Sequence, residues 1–459
     1  MNSENRIIYR KALGLAIPMM IQNGITNMVG LVDNVMVGSL GTESMTGVAI
    51  VNQLLFVNNL AIFGGLAGPG IYGAQFFGHN DQEGVRNTFR FKLWICAFCV
   101  IVAAAVFFFG GEGLIQLYLR GESGSMNPAA TLGYGKQYLQ IMLWNLLPFA
   151  VTQAYAGTLR ETGETVKPMV AGLISVVVDI VFNYLLIFGQ FGFPELGVRG
   201  AAIATVLARF VELSVVVLWS HSAKEKHVFL QGIYRTLKVP RQLCLTMLKK
   251  GFPIFANEFL WSGGIAVLTQ CYSIRGLTVV AGLNISNAIC NLLNVSFVSL
   301  GSAVGVIIGQ FLGASEFDRA RKGTFVLMRF TAAVTTVFAM VLAAVSGIFP
   351  NFYDTTPQVR QMAQYFILTT AIFFPLQGYL NAIYFTLRSG GKTVITFFFD
   401  SGFSWIFCVP VAALLCYFTN LPILVIYVIV QALDIIKTVV GYVLIRKGVW
   451  IANLVADKA

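Results

Sequence analysis

Gln75-Phe76-Phe77-Gly78 closes a long apolar run, and 235 residues later Gln310-Phe311-Leu312-Gly313 closes another. The same shift lays Pro18 on Pro253, Gly41 on Gly276, Gly47 on Gly282, Asn52 on Asn287 and Asn59 on Asn294. Thr158-Leu159-Arg160 meets Thr386-Leu387-Arg388 at a slightly shorter shift. So many matches at a fixed offset read as an internal duplication of the chain.

Composition says what is duplicated. The 459 residues are 57% apolar and only 11% charged. Soluble domains carry roughly 25% charge, and a water-facing surface cannot be covered with so little. A soluble enzyme, a disordered chain and a nucleic-acid-binding domain leave the front rank. A membrane-crossing helix needs about 20 mainly apolar residues. Hydropathy and breakers give twelve such segments, at 13–37, 47–72, 91–109, 134–158, 168–188, 200–220, 252–274, 279–308, 325–348, 362–387, 394–418 and 421–445. The expected fold is all-α and integral to the membrane, with twelve transmembrane helices in two pseudo-symmetric six-helix lobes. Residues 1–220 would form the first lobe, 221–250 a cytoplasmic link and 251–459 the second lobe. The apolar stretch after Arg6, Arg10 and Lys11 runs on to Val37, too long for a cleaved signal, so a retained first span is expected. Seven cysteines without framework spacing point away from disulfides, and Cys96 and Cys99 read as packing residues.

The net charge of +11 also has a reading. On the twelve-span frame, 23 of the 31 basic residues fall on alternate loops, Lys224, Lys226 and Lys458 among them. The opposite loops hold only Arg120, Arg199, Arg275 and Arg360. The positive-inside rule makes the rich side cytoplasmic, with both termini and the link inside, in a multi-pass protein of the plasma membrane. The anionic inner leaflet is then partner enough for the basic surplus, and nucleic acid is not needed. Both halves start on the same side, so the repeats are parallel; transporters built this way bind substrate between halves that rock to alternate access.

Ionisable residues inside spans are functional candidates by default. Glu212 with Arg209, and Asp434 with Lys437, are i,i+3 pairs that read as structural ion pairs. Asp33, Asp179, Glu258 and Asp400 have no basic residue within a helical turn. Such a carboxylate takes a proton, binds a cation, or is hydrogen-bonded to a neighbouring helix. Gln22, Thr26 and Asp33 share a helix face, with Asn23, Asn27 and Asn34 beside it; Asp179 and Asn183 are one turn apart. Asn284, Asn287, Asn291 and Asn294 form a ladder that either lines a cavity or knits helices together. Gln377, Asn381 and Tyr384 share a face near Phe373, Phe374 and Phe385, aromatic company that suits an organic cation.

Gly391-Lys392-Thr393 lacks the first glycine of a phosphate-binding loop, where Thr386 stands, so no ATP site is expected. His79, His221 and His227 have no metal-ligand spacing. No catalytic residues and no cofactor are expected, and the chain does not read as an enzyme.

Four segments carry a resemblance. They are Val32-Asp33-Asn34-Val35-Met36-Val37-Gly38, Arg160-Glu161-Thr162-Gly163-Glu164-Thr165, the stretch from Asp179 through Asn183 to Gly189, and Gly197-Val198-Arg199-Gly200-Ala201-Ala202-Ile203-Ala204-Thr205. Together they resemble the multidrug and toxic compound extrusion (MATE) family over essentially the whole chain. The resemblance implies two lobes in a V and export of amphipathic, cationic organic compounds by antiport with H+ or Na+. It places the coupling ion at Asp33, Asp179, Asn183 and Thr205, with Na+ at Asp33, Asp179 and Asn183 as one candidate occupant. In the proton-coupled subgroup the residues of span 5 usually read Asn then Asp; here the order is Asp179 then Asn183. The sodium-type subgroup carries an acid on span 10, and residues 362–387 have none. Asn27, Glu258, Asn287, Gln377, Asn381 and Asp400 are expected to border the substrate cavity of a monomeric exporter. The rival reading is a lipid-linked oligosaccharide flippase of similar build. Such proteins have a basic cavity, whereas the unpaired charges here are acidic. A channel or a structural membrane protein fits the paired halves less well than alternating access does.

Overall fold

The computed structural model describes residues 3–119, 127–223 and 227–456. Arg120, Lys224, Lys226 and Lys458 lie outside the described residues. All regular elements among those described are helical. The first half contributes α1 (Ser3–Gly38), α2 (Thr42–Gly78), α3 (Gln82–Leu119), α4 (Pro128–Met142), α5 (Leu146–Glu161), α6 (Val166–Phe188) and α7 (Val198–Ser222). The second contributes α8 (Arg241–Ser273), α9 (Leu277–Gly313), α10 (Phe317–Val345), α11 (Pro357–Ser389), α12 (Thr393–Phe397), α13 (Val409–Phe418) and α14 (Ile423–Lys447). Two π-helical segments, Phe398–Gly402 and Ser404–Cys408, join α12 to α13 into one pass.

These elements make twelve passes, ten of which are long and apolar enough to cross a bilayer. The other two are α8 and the α4–α5 pass, which a 3-10 turn at Leu143–Asn145 interrupts just before Pro148. Observed helices outrun the expected spans at most ends. Hydropathy registers only the stretch that lipid would solvate, while the backbone ladder continues until a cap or a proline stops it. Thus α1 already contains Arg6, Arg10 and Lys11, and α8 begins eleven residues before Phe252, directly after Pro240, taking in Arg241, Lys249 and Lys250. Caps follow sequence rules. Asn127 Oδ1 accepts from the amides of Ala129 (3.0 Å) and Ala130 (3.3 Å) ahead of α4, with Pro128 in the first turn. Gly189 ends α6 in the left-handed conformation at φ 63°. All seven cysteines are free.

The chain packs as two units. One, the C-unit, comprises Met1–Met20, Ile71–Gly84 and Leu245–Ala459; the other, the N-unit, comprises Ile21–Gly70 and Val85–Cys244. In the N-unit α7 packs against α4, α5 and α6, around a core that includes Val51, Ile115, Leu146 and Ile187. The stretch after α7 is held to this unit: Arg86 Nε donates to Phe229 O (3.1 Å), Arg90 Nε to Ile233 O (3.2 Å) and Trp94 Nε1 to Leu237 O (3.1 Å). In the C-unit α11 packs against α9, α10 and α14 around Leu312, Leu327, Ile383 and Leu387.

Within the C-unit the two copies of the duplicated motif meet. A Cβ on Gly78 would lie 2.0 Å from Gln310 O, and one on Gly313 would lie 1.9 Å from Gln75 O. The ends of α2 and α9 therefore cross backbone against backbone, and only glycine fits at either crossing position. Gln75 fastens the crossing: its Nε2 donates to Ser389 O (2.8 Å), and its Oε1 accepts from Leu454 N (2.7 Å). Gln310 Oε1 accepts from Lys11 Nζ at 2.7 Å.

Candidate functional site

In the N-unit, α6 and α7 form the frame of the site. A Cβ on Gly200 would lie 2.4 Å from Leu186 O, so the start of α7 lies directly against the end of α6. Lower down, Ser175 Oγ donates to Ala208 O at 2.9 Å. This close hairpin brings Asp179 and Asn183 of α6 beside Thr205 of α7. Helix α1 joins them. Gly172 admits Gln22 at close range, and Arg160 Nη2 donates to Gln22 Oε1 at 3.1 Å. Farther along α1, Asp33 Oδ1 accepts from Asn183 Nδ2 at 2.9 Å. The four residues expected to hold the coupling ion therefore lie together in one unit.

Two acceptors there have no hydrogen-bond partner: Asp179 Oδ1 and Asn183 Oδ1. Asp179 is 7% exposed and Asn183 is 1% exposed, so water does not readily substitute. Orphaned buried oxygens cost about 1–3 kcal/mol each. The Thr205 hydroxyl donates to Ala201 O at 3.1 Å and lies beside Asp179 and Tyr138. The donor set is thus carboxylate, carboxamide and hydroxyl oxygen, which fits a proton or a hard monovalent cation. Arg209, ion-paired with Glu212 at 2.7 Å as its spacing predicts, lies within electrostatic reach of both acids. Sequence reasoning missed Tyr138 and Asn52, whose side chains meet at 3.4 Å beside the site. The alignment of Asn52 with Asn287 in the repeat was the available signal.

In the C-unit one reading is overturned. Asp400 is not unpaired: Lys437 Nζ lies 2.9 Å from its Oδ1, and Asn257 Nδ2 donates to its Oδ2 at 3.1 Å. Asp434, the expected partner of Lys437, instead accepts a short hydrogen bond from Gln377 Nε2. The i,i+3 rule measures distance along one helix, whereas Lys437 reaches across from α14 to the π-helical segment that carries Asp400. Glu258 has Arg388 and Asp400 as its charged neighbours. Asn381 packs into α9 at Gly301, and its Oδ1 has no hydrogen-bond partner. Asn284, Asn287 and Asn291 are exposed along α9, so the ladder does not knit helices within its unit. Asn27 is exposed on α1 and belongs to the N-unit, whereas the other cavity candidates belong to the C-unit.

The MatE family model matches residues 18–185 and again 253–418, one match to each half of the duplication. The chain belongs to the MATE family. Its members are membrane transporters, so this MATE chain is a multi-pass membrane protein and not an enzyme. It is 23% identical over 451 residues to a probable multidrug resistance protein NorM of Thermotoga maritima, covering 96% of this chain and 93% of that one. It is 26% identical over 432 residues to a probable multidrug resistance protein YoeA of Bacillus subtilis, covering 92% and 90%. A multidrug resistance MATE family transporter of the MOP superfamily, solved in an outward-facing conformation, superposes with TM-score 0.85 at 17% identity, covering 97% of this chain and 99% of that one. That likeness confirms the MATE fold.

Proposed function

We propose that the protein is a secondary antiporter that exports amphipathic organic cations in exchange for H+ or Na+. The multidrug resistance names of its relatives support small organic substrates, and the acidic residues within the spans are the reason for reading them as cations. The coupling site is Asp33, Asp179, Asn183 and Thr205. One observation carries this reading: the buried, unpartnered oxygens of Asp179 and Asn183 beside a second carboxylate. Two carboxylates packed together away from water cannot both stay charged and bare. Either a proton or a cation relieves them, and losing it has to be compensated elsewhere in the cycle. That obligation is what couples ion entry to substrate exit.

On this reading residues 1–220 and 251–459 act as two lobes joined by the 221–250 link, access alternates between them, and both termini face the cytoplasm of a monomer. Glu258, Gln377, Asn381, Asp400, Asn27 and Asn287 border the substrate path. The deciding experiment loads proteoliposomes with a cationic dye and imposes a pH gradient and a sodium gradient separately. One gradient should drive export, and Asp33→Asn should abolish that drive. Wild-type export by Asp33→Asn under both gradients would refute the assignment.

A further inference from the structure

The Asp400 cluster contains an ammonium group already bound. Lys437 is 9% exposed, and its Nζ lies 2.9 Å from Asp400 Oδ1 and 5.3 Å from the centre of the Phe399 ring. The far oxygen of Asp400 is held by Asn257, whose own Oδ1 accepts from Ser401 N (3.2 Å) and Ser401 Oγ (2.7 Å). A carboxylate, an aromatic face and a fixed carboxamide are the features that recognise an organic ammonium ion. The backbone that presents Asp400 and Phe399 is π-helical, an irregularity found mostly at functional sites, while Asn257 comes from α8.

The charge count is uneven. Asp400 and Asp434 face a single lysine, and Asp434 lies three residues from Lys437 on α14, within reach of the same side chain. Lys437 therefore has two alternative carboxylates. When its ammonium leaves Asp400 it can pair with Asp434, provided that another cation takes its former place. Neither carboxylate is then left bare in the apolar interior, since the arriving cation adds the one positive charge that the two carboxylates and single lysine lack.

We propose that Asp400, Phe399 and Asn257 form an ammonium-binding site which the chain fills with its own Lys437, and that the amine of a cationic substrate occupies it by displacing the lysine toward Asp434. The displacement step rests on the export reading above; the site itself does not.

The test uses the purified full-length protein in detergent, with thermal unfolding followed against n-butylammonium. Lys437→Ala empties the site without removing its acceptors. Butylammonium should raise the unfolding temperature of Lys437→Ala at a concentration at least tenfold below that needed for wild type. Lys437→Ala/Asp400→Asn should lose that response. An equal response in wild type and Lys437→Ala, or one that survives Asp400→Asn, overturns the proposal. So does stabilisation of Lys437→Ala by Na+ as strong as that by the amine. Should Lys437→Ala fail to accumulate, Lys437→Gln is read in the same way. Failure of both while Lys437→Gln/Asp400→Asn accumulates makes the lysine a fixed structural ion and also overturns the proposal. Repeating the titration in Asp33→Asn keeps the two readings apart, since the amine response should persist there although coupled export is lost.

Discussion

Gly313→Ala tests the crossing of the duplicated motif. The new methyl carbon would lie 1.9 Å from Gln75 O. Carbon and carbonyl oxygen normally settle at about 3.3–3.6 Å, so α2 and α9 would have to separate by more than an ångström. Neither contacting group is a flexible side-chain tip, so the strain cannot relax by a rotamer change. Overpacking of this kind costs about 1–3 kcal/mol. The separation also stretches the two bonds of Gln75, to Ser389 O (2.8 Å) and from Leu454 N (2.7 Å), at about 1 kcal/mol each. Replacing a helical glycine by alanine returns about 1 kcal/mol of propensity. The net expectation is destabilisation by about 2–4 kcal/mol, most of it packing strain and lost hydrogen bonds. Gly323→Ala on α10 is the control, because its Cβ would meet Phe311 Cε2 at an ordinary 3.5 Å. Chemical unfolding of detergent-solubilised protein, followed by tryptophan fluorescence, measures both. Gly78→Ala should behave as Gly313→Ala does, and the double variant should cost less than the two together, since one separation of the helices serves both. If Gly313→Ala unfolds within about 0.5 kcal/mol of Gly323→Ala, the ordinary scatter for substitutions away from special sites, the crossing is not a rigid contact and the reasoning fails.

Two further outcomes are expected. Asn183→Ala removes the donor that holds Asp33 Oδ1 at 2.9 Å together with one of the two orphaned oxygens. The donor favours the bare carboxylate by about 1.5–3 kcal/mol, so its loss should lower half-saturation by H+ about tenfold or more, whereas loss of the carboxamide oxygen as a ligand should raise half-saturation by Na+; flux measured against cation concentration reads this, and an unchanged half-saturation for the driving cation contradicts the site. Lys92 is 1% exposed and binds both oxygens of Glu161, at 2.7 and 2.6 Å, as well as Thr158 Oγ1 at 2.9 Å. Lys92→Met removes the ammonium that binds both Glu161 oxygens and should destabilise by about 3–5 kcal/mol, and adding Glu161→Gln should recover most of that; equal losses in the single and double variants would show that the loss of this ion pair is not the cause.

Much of this protein is legible in its sequence because a bilayer imposes simple rules. Span length is set by hydrocarbon thickness, and every backbone group must be satisfied within the helix, so hydropathy read together with the breakers finds the twelve passes. A polar residue in such a span is costly, which is why Asp33, Asp179 and Asn183 stand out from residue type and position alone. Hydropathy is blind to helix ends, and so the helix expected from Phe252 begins at Arg241.

What the sequence determined by itself was the duplication, the all-helical membrane fold and the acids worth watching. The tertiary structure decided what those features meet. The repeated Gln-x-x-Gly is visible as a repeat, but only three-dimensional packing turns it into two glycines facing each other's backbone. The partner of Lys437 is Asp400 across a helix gap rather than Asp434 one turn away. Sequence spacing reports neighbours along a single helix. Inter-helix pairing depends on crossing geometry and on the cost of leaving a buried charge bare, and those are properties of the packed bundle.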